Sequence, residues 1–126
     1  DKEDELYRNT RAFVLSCENP YFYQGTLARG VGSPHTPPGF IWPIALCVQG
    51  MTSTDENEIA GILNALMNTH ADTGFMHESF HPDKPELYTR SWFAWANSMF
   101  GELIYRLYED GRLQSVLDKA MNMRAM

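Results

Sequence analysis

Two long stretches rich in proline and glycine divide this chain into short segments that can adopt regular structure. Residues 20–39 hold four prolines and four glycines, and residues 70–85 are broken by Gly74, Pro82 and Pro85. Because proline fixes φ and has no amide proton to donate, neither stretch predicts a helix or a strand. Long loops inside a compact domain are usually functional or disordered, and the aromatic and histidine side chains of the first stretch favour an ordered loop.

Apolar residues recur at helical spacing on either side of these loops, so the sequence predicts four helices and a shorter, methionine-rich fifth. The pattern Ser53-x-x-Glu56 is typical of a capping box and predicts a helix start at Ser53. Thr89 is a favourable N-cap for another helix, and no segment predicts a strand. The predicted helices cover Glu3–Ser16, Phe40–Met51, a segment from Ser53 through Met67, Thr89 to about Glu109, and Leu113–Met126.

The predicted order is helix, long loop, helix, short turn, helix, long loop, helix. This order is typical of an α/α-hairpin barrel, in which every other connection gathers at one end of the barrel and builds a site. The sequence therefore predicts an all-α fold whose long loops carry the function.

Length, charge and hydropathy narrow the class of protein. A chain of 126 residues is one domain or part of one. The net charge of −6 argues against a nucleic-acid partner, which requires a basic surface. No apolar run approaches the twenty or so residues of a membrane span. The sequence does not indicate a cellular compartment.

Three blocks dense in histidine, tryptophan, phenylalanine, asparagine and glutamate lie within about seventy residues. They are Ser33–Leu46 (SPHTPPGFIWPIAL), Gly74–Phe80 (GFMHESF) and Thr89–Leu103 (TRSWFAWANSMFGEL). Packing alone does not require this mixture. Aromatic faces beside a carboxylate and hydrogen-bonding side chains suit a sugar ring, because its C–H faces stack on indoles and its hydroxyls pair with polar groups.

The three blocks, in this order and at about this spacing, resemble glycoside hydrolase family 125, the metal-independent exo-α-1,6-mannosidases. The resemblance runs from near Arg11 to about Tyr108 and covers most of the chain. It implies that the all-α fold is part of an (α/α)6 barrel. It also implies inverting hydrolysis of terminal α-mannose from α-mannosides or N-glycan-derived glycans, a mannose-containing oligosaccharide as partner, and neither metal nor other cofactor.

Glu78 is the predicted catalytic residue. It lies in a loop between aromatic and histidine neighbours, where a carboxylate can be partly desolvated and still hydrogen-bonded, which suits it for proton transfer. In inverting glycosidases one carboxylate activates water and a protonated carboxylic acid opposite donates to the leaving oxygen. The resemblance implies that the glutamate of the H-E-S-F motif is the general base. The structural alternative is a loop glutamate that caps a helix or pairs with Arg90.

Aromatic side chains in the first and third blocks are candidates for stacking on the sugar. Trp42 follows the Pro-rich loop and is favoured over Trp95, which, like Trp92, could belong to the core. His35 lies between two prolines that stiffen its backbone, so it could hold a sugar hydroxyl or staple the loop. The resemblance favours binding.

Three further polar residues complete the predicted substrate-binding set. Arg90 and Asn97 are candidate partners of a hydroxyl or carboxylate, and Arg90 beside Glu78 would keep that carboxylate charged. His77, which precedes Glu78 in the H-E-S-F motif, is assigned to substrate binding with them.

The same motif gives an alternative from another class of enzyme. His77, Glu78 and His81 match H-E-x-x-H, the signature of zinc peptidases, and Glu102 follows as an imaginable third ligand. That chemistry requires both histidines on one face of a helix. Pro82 biases His81 away from helical geometry, so we favour a site without metal.

The second catalytic carboxylate of the family, a general acid aspartate, lies earlier in its chain than the first block. Nothing before Ser33 resembles its setting, and Asp72 is better explained as a turn residue before Gly74. We therefore expect residues 1–126 to be the C-terminal portion of one catalytic domain, whose N-terminal part is absent. The alternative function is a non-catalytic carbohydrate-binding or interaction fragment of the same fold.

If part of the barrel is absent, apolar helix faces should be left open. The expected open faces are those of Leu63, Leu66, Phe100 and Leu103. An apolar patch larger than a few hundred Å² is unusual on a monomer. We therefore expect the isolated chain to be inactive and to associate with itself or with the missing N-terminal part.

Overall fold

The computed structural model describes residues 4–123, which form five helices and four short strands. No helix in this range is long and apolar enough to cross a membrane. The helices are α1 (Glu5–Val14), α2 (Pro43–Met51), α3 (Glu56–Asn68), α4 (Ala94–Glu109) and α5 (Leu113–Asn122). The strands are β1 (Phe22–Gln24), β2 (Arg29–Val31), β3 (Ser79–Phe80) and β4 (Tyr88–Thr89).

The five predicted helices are confirmed, but three of the predicted starts are wrong. The second helix was predicted from Phe40, and α2 begins at Pro43 because Ile41 pairs with Phe80. Asp55 caps α3 by accepting from the Asn57 amide at 2.8 Å, while the Ser53 hydroxyl lies 2.6 Å from a Glu58 carboxylate oxygen. Thr89 lies in a strand, and α4 begins only after Phe93. Of the predicted terminal helices, Glu3 and residues 124–126 lie outside the described residues.

The two loops contain strands that the sequence did not predict, so the description all-α is too coarse. β1 pairs antiparallel with β2, and β3 pairs antiparallel with β4. The prolines of the first stretch lie outside its paired residues. Strands of two or three residues are too short to show the alternating pattern by which strands are recognised.

One extended residue joins the two hairpins. Ile41 exchanges two backbone hydrogen bonds with Phe80, both of 2.9 Å, and the next amide, that of Trp42, donates to the Val31 carbonyl at 3.0 Å. Ile41 and Phe80 are fully buried. The loops that were predicted to carry the function are therefore held together as one layer.

Helix packing closes the faces that were expected to be open. α2 packs against α3 and α4, and α3 packs against α5. Leu63, Leu66 and Leu103 are each 1% exposed, and Phe100 is half-buried against the same core. The prediction of open faces at these residues is wrong. Full burial of each leucine contributes about 1.5–3 kcal/mol, because its apolar surface leaves water.

Other large apolar side chains are exposed, four of them aromatic residues in or next to α4. Trp92, Trp95, Tyr105 and Tyr108 are 57–66% exposed. The expectation that the isolated chain associates stays a prediction. It now rests on these four exposed side chains, because the leucines from which it was first argued are buried.

A close approach in the loop layer depends on Gly32. A Cβ at this position would overlap the Phe40 carbonyl oxygen and the Tyr23 ring. We expect Gly32→Ala to lower the free energy of unfolding by about 1–3 kcal/mol, the usual cost of overpacking. Gly61→Ala in α3, where no neighbouring atom lies within 4 Å of a Cβ, should instead raise it by about 0.5–1 kcal/mol. Urea unfolding of both variants tests this, and equal stability of wild type and Gly32→Ala would contradict it.

Candidate active site

Glu78 is held at the open end of the β3–β4 hairpin, opposite the connection between the two strands. It directly precedes β3, and its amide donates to the carbonyls of Thr89 (3.2 Å) and Arg90 (3.3 Å). Its side chain is 17% exposed, and one carboxylate oxygen lies 3.3 Å from Nε of Arg90. The carboxylate is therefore largely shielded from water, and its backbone has a defined position.

Arg90 adopts a backbone conformation that is uncommon for a residue with a side chain. Its φ is +45°, in the left-handed region, which costs on the order of 1–3 kcal/mol and is concentrated at functional sites. The side chain is 68% exposed, and its guanidinium carbon lies 5.9 Å from the Phe93 ring centroid. Arg90 thus contacts both a carboxylate and an aromatic ring.

Phe93 connects the predicted aromatic residues to this ion pair. The Trp42 ring meets it edge-on at 6.3 Å between centroids, and the Trp95 ring lies 6.4 Å away at a tilt of 42°. Trp42, Trp95, Phe93, Arg90 and Glu78 therefore form one continuous patch, which we call the Glu78 surface. Trp42 is half-buried and Trp95 is 59% exposed, so both can offer ring area to a ligand.

The Pro-rich loop reaches the Glu78 surface beside His35. The indole N–H of Trp42 donates to the Thr36 hydroxyl at 2.8 Å, and the amide of the exposed His35 donates to the Ser33 hydroxyl at 3.2 Å. The loop is therefore ordered next to Trp42. His35 is solvent-accessible there, as a ligand-binding side chain must be.

His77 lies beneath the Glu78 surface and is 1% exposed. Its ring stacks on Tyr88 with a centroid distance of 4.1 Å and an angle of 9°, and its Nδ1–H donates to the Ser91 carbonyl at 2.8 Å. Burial lowers the pKa of the His77 imidazole, against the opposing effect of the Ser91 and His70 carbonyls, so the neutral form is favoured. The predicted direct contact of His77 with substrate conflicts with this burial.

The side chain of Asn97 forms hydrogen bonds within the protein. Its side-chain oxygen accepts from the Met76 amide at 3.1 Å, and its NH₂ group donates to the Met76 carbonyl at 3.1 Å and the Phe93 carbonyl at 2.8 Å. The amide therefore ties the first turn of α4 to the residue before His77. Asn97 therefore supports the Glu78 surface through the backbone, and its predicted contact with substrate stays a prediction.

The family of this chain follows from its similarity to known proteins. Residues 1–105 match the sequence model of the metal-independent alpha-mannosidases, GH125. The chain belongs to GH125. The "Meiotically up-regulated gene 157 protein" of Schizosaccharomyces pombe is 44% identical over 110 residues, which are 86% of this chain and 22% of that protein.

A solved GH125 structure shares the fold. It is a Streptococcus pneumoniae protein from a study of metal-independent alpha mannosidases and the processing of N-linked glycans, described as a non-productive substrate complex with alpha-1,6-mannobiose. It superposes with a TM-score of 0.79 at 48% identity over 98% of this chain and 26% of its own. The chain thus spans about a quarter of the length of these two GH125 proteins.

The H-E-x-x-H pattern of this GH125 chain lacks the geometry of a zinc peptidase. The residues between His77 and His81 include β3, and the extended backbone separates residues four apart by about 13 Å, so the two rings cannot converge as on a helix. His81 Nδ1 accepts from the amides of Asp83 and Lys84, both at 3.1 Å. Glu102 pairs with Arg106 at 2.8 Å. Across residues 4–123, no three His, Cys, Asp or Glu side chains are grouped to hold a metal ion.

Asp72 occupies the turn that the sequence predicted. Its φ is +58° and that of Ala71 is +52°. The amide of Gly74 donates to Nδ1 of His70 at 3.2 Å.

Sequence reasoning missed two residues of the site. Phe93 lies at the centre of the Glu78 surface, and Tyr88 covers the His77 ring. Phe93 was visible within the third block but carried no signal that set it apart from the neighbouring tryptophans. Tyr88 lies in a two-residue strand, whose pairing is a tertiary feature.

Proposed function

We propose that this GH125 chain carries the general base of an inverting exo-α-1,6-mannosidase, and that Glu78 is that base. The observation that carries this proposal is the shielded Glu78 carboxylate, 3.3 Å from Arg90 at the edge of an aromatic surface. A base must present one oxygen lone pair to water in a fixed direction. The contact with Arg90 Nε restrains the orientation of the Glu78 carboxylate.

In the proposed reaction, Glu78 takes a proton from a water molecule as the water oxygen attacks the anomeric carbon. The bond from that carbon to the leaving oxygen breaks, and a carboxylic acid about 6.5–9.5 Å away donates the proton that the leaving oxygen needs. Attack from the face opposite the leaving group inverts the configuration, so α-mannoside yields β-mannose.

We assign the sugar contacts to the exposed members of the site. Trp42 and Trp95 offer ring faces to the C–H patches of the mannose ring, and His35 offers imidazole nitrogens to its hydroxyls. Arg90, which is largely exposed, has guanidinium N–H groups beyond those directed at Glu78. His77 and Asn97 support these residues from beneath.

The general acid is proposed to lie outside these 126 residues. The relatives are about four times longer, and Asp72 is held in a turn. We propose that residues 1–126 form the C-terminal portion of one catalytic domain, an (α/α)6 barrel whose remainder supplies the acid. The remainder would also cover Trp92, Tyr105 and Tyr108, which are exposed in or next to α4.

The proposed substrate is a terminal α-1,6-linked mannose, and the test is hydrolysis by the full-length protein. We expect release of mannose from α-1,6-mannobiose, with a rate that a metal chelator leaves unchanged. Loss of activity with chelator, restored by zinc, would contradict the proposal. Binding of mannobiose without release would favour a non-catalytic carbohydrate-binding function instead.

A further inference from the structure

The turn at Arg90 is costly and must be held by its surroundings. Its φ of +45° is unfavourable for any residue with a Cβ. Without restraint, the backbone would relax and carry the guanidinium away from Glu78. The ion pair at 3.3 Å therefore depends on whatever fixes the backbone on both sides of Arg90.

On the N-terminal side of Arg90, Thr89 pairs with Ser79 in the β3–β4 hairpin, and the hydroxyls of these two residues lie 2.6 Å apart. The single amide proton of Glu78 is shared between the carbonyls of Thr89 and Arg90, at 3.2 and 3.3 Å. On the C-terminal side, the Ser91 carbonyl accepts from Nδ1 of His77 at 2.8 Å. The side chain of His77 thus holds the residue that directly follows the turn.

His77 is itself buried, and only one of its two ring nitrogens has a hydrogen-bond partner among residues 4–123. Its ring is 1% exposed and stacked on Tyr88, and Nε2 finds no hydrogen-bond partner among residues 4–123. A buried polar atom without a partner is unfavourable, and a phenyl ring would fill the same space without that cost. What histidine adds at this position is the Nδ1–H donor.

We propose that His77 is a positioning residue, which fixes the turn at Arg90 and thereby orients the ion pair with Glu78. This inference rests on the proposed role of Glu78 as base. His77 touches neither substrate nor water in the reaction; it acts through the Ser91 carbonyl.

The test is a double-mutant cycle in the full-length protein, with kcat and KM measured on α-1,6-mannobiose. His77→Phe keeps the ring and removes the donor, and Arg90→Ala removes the group that is positioned. We expect His77→Phe to lower kcat on the order of 10-fold with KM within about 3-fold, since small misplacements in a site cost up to 10²-fold. In the Arg90→Ala background, the same change should lower kcat less than about 2-fold, because coupled residues are not additive.

A rescue variant separates positioning from packing. The side-chain amide of His77→Asn can donate from nearly the place of Nδ1 but loses the ring that stacks on Tyr88. We expect His77→Asn to be faster than His77→Phe, although its melting temperature should be the lower of the two. A role in packing alone predicts the opposite order of rates.

The outcomes distinguish this inference from the proposed function. Wild-type kcat in His77→Phe or in Arg90→Ala, full additivity in the cycle, or a slower His77→Asn would each overturn the positioning role. If His77→Phe does not fold, the rate of His77→Asn, alone and with Arg90→Ala, decides the same question. A Glu78→Gln protein of normal rate would instead overturn the proposed function.

Discussion

Replacing Glu78 with glutamine in the full-length protein is expected to lower kcat by roughly 10²–10⁴, the usual contribution of general acid–base catalysis. The amide keeps the shape and the hydrogen-bonding capacity of the carboxylate but cannot accept the proton of the attacking water. Since the proposed sugar contacts lie elsewhere on the Glu78 surface, the dissociation constant of α-1,6-mannobiose should change only a few-fold. Initial rates and calorimetric binding on the same preparation measure the two effects separately.

Glu86 provides a matched control for this substitution. It is an exposed glutamate in the connection between β3 and β4, the same hairpin that presents Glu78. Glu86→Gln removes an equal charge nearby and should leave kcat unchanged. An equal loss in both variants would mean that charge or hairpin stability is responsible, and a normal rate in Glu78→Gln would remove Glu78 from the mechanism.

The second large effect concerns the 126-residue chain alone, from which we expect no measurable release of mannose. A base without the opposing acid leaves an alkyl alkoxide as leaving group, which is too poor to depart from an ordinary mannoside. The exposed side chains of Trp92, Trp95, Tyr105 and Tyr108 should also drive association. Sedimentation and a mannose-release assay on one preparation test both expectations, with the full-length protein as the active control.

A monomeric chain that turns over mannobiose would contradict this expectation. It would mean that an acid within these residues completes the site. Asp72→Asn would then test Asp72 as that acid, since the amide cannot donate as the carboxylic acid does.

The helices were readable from the sequence because each is long enough to show its periodicity. The thirteen residues of α3 carry a stripe through Ile59, Ile62, Leu63 and Leu66, and all four are buried. The start of α3 was misplaced by the competition of two capping residues, Ser53 and Asp55. Judged from the local sequence, both residues are favourable N-caps. In the structure the Ser53 hydroxyl bonds to Glu58, and Asp55 caps the helix.

The loop layer was not readable, because its order comes from contacts between distant segments. The pairing of Ile41 with Phe80 joins residues almost forty positions apart, and no local pattern encodes it. Leu63 and Leu103 were wrongly expected on open faces, because a local sequence pattern does not show which helices pack together. The number of helices was right, but their mutual packing, which buries both residues, is a tertiary property.

Within the site, the motif indicated Glu78 and Arg90, and the structure places them together. It could not separate side chains at the surface from those beneath it. His77 and Glu78 are adjacent in the sequence, and the backbone bends at Glu78, just before β3 begins. His77 is buried and Glu78 reaches the Glu78 surface, a difference that composition and family resemblance do not reveal.

The central claim is that Glu78 activates water for a single displacement at the anomeric carbon of an α-mannoside. The most direct measurement is the ¹H NMR spectrum of the first mannose released from α-1,6-mannobiose by the full-length protein, before mutarotation. The claim predicts that β-mannose appears first and that the α-anomer grows later. Initial release of α-mannose would show retention of configuration, and Glu78 could not then be the base of a single displacement.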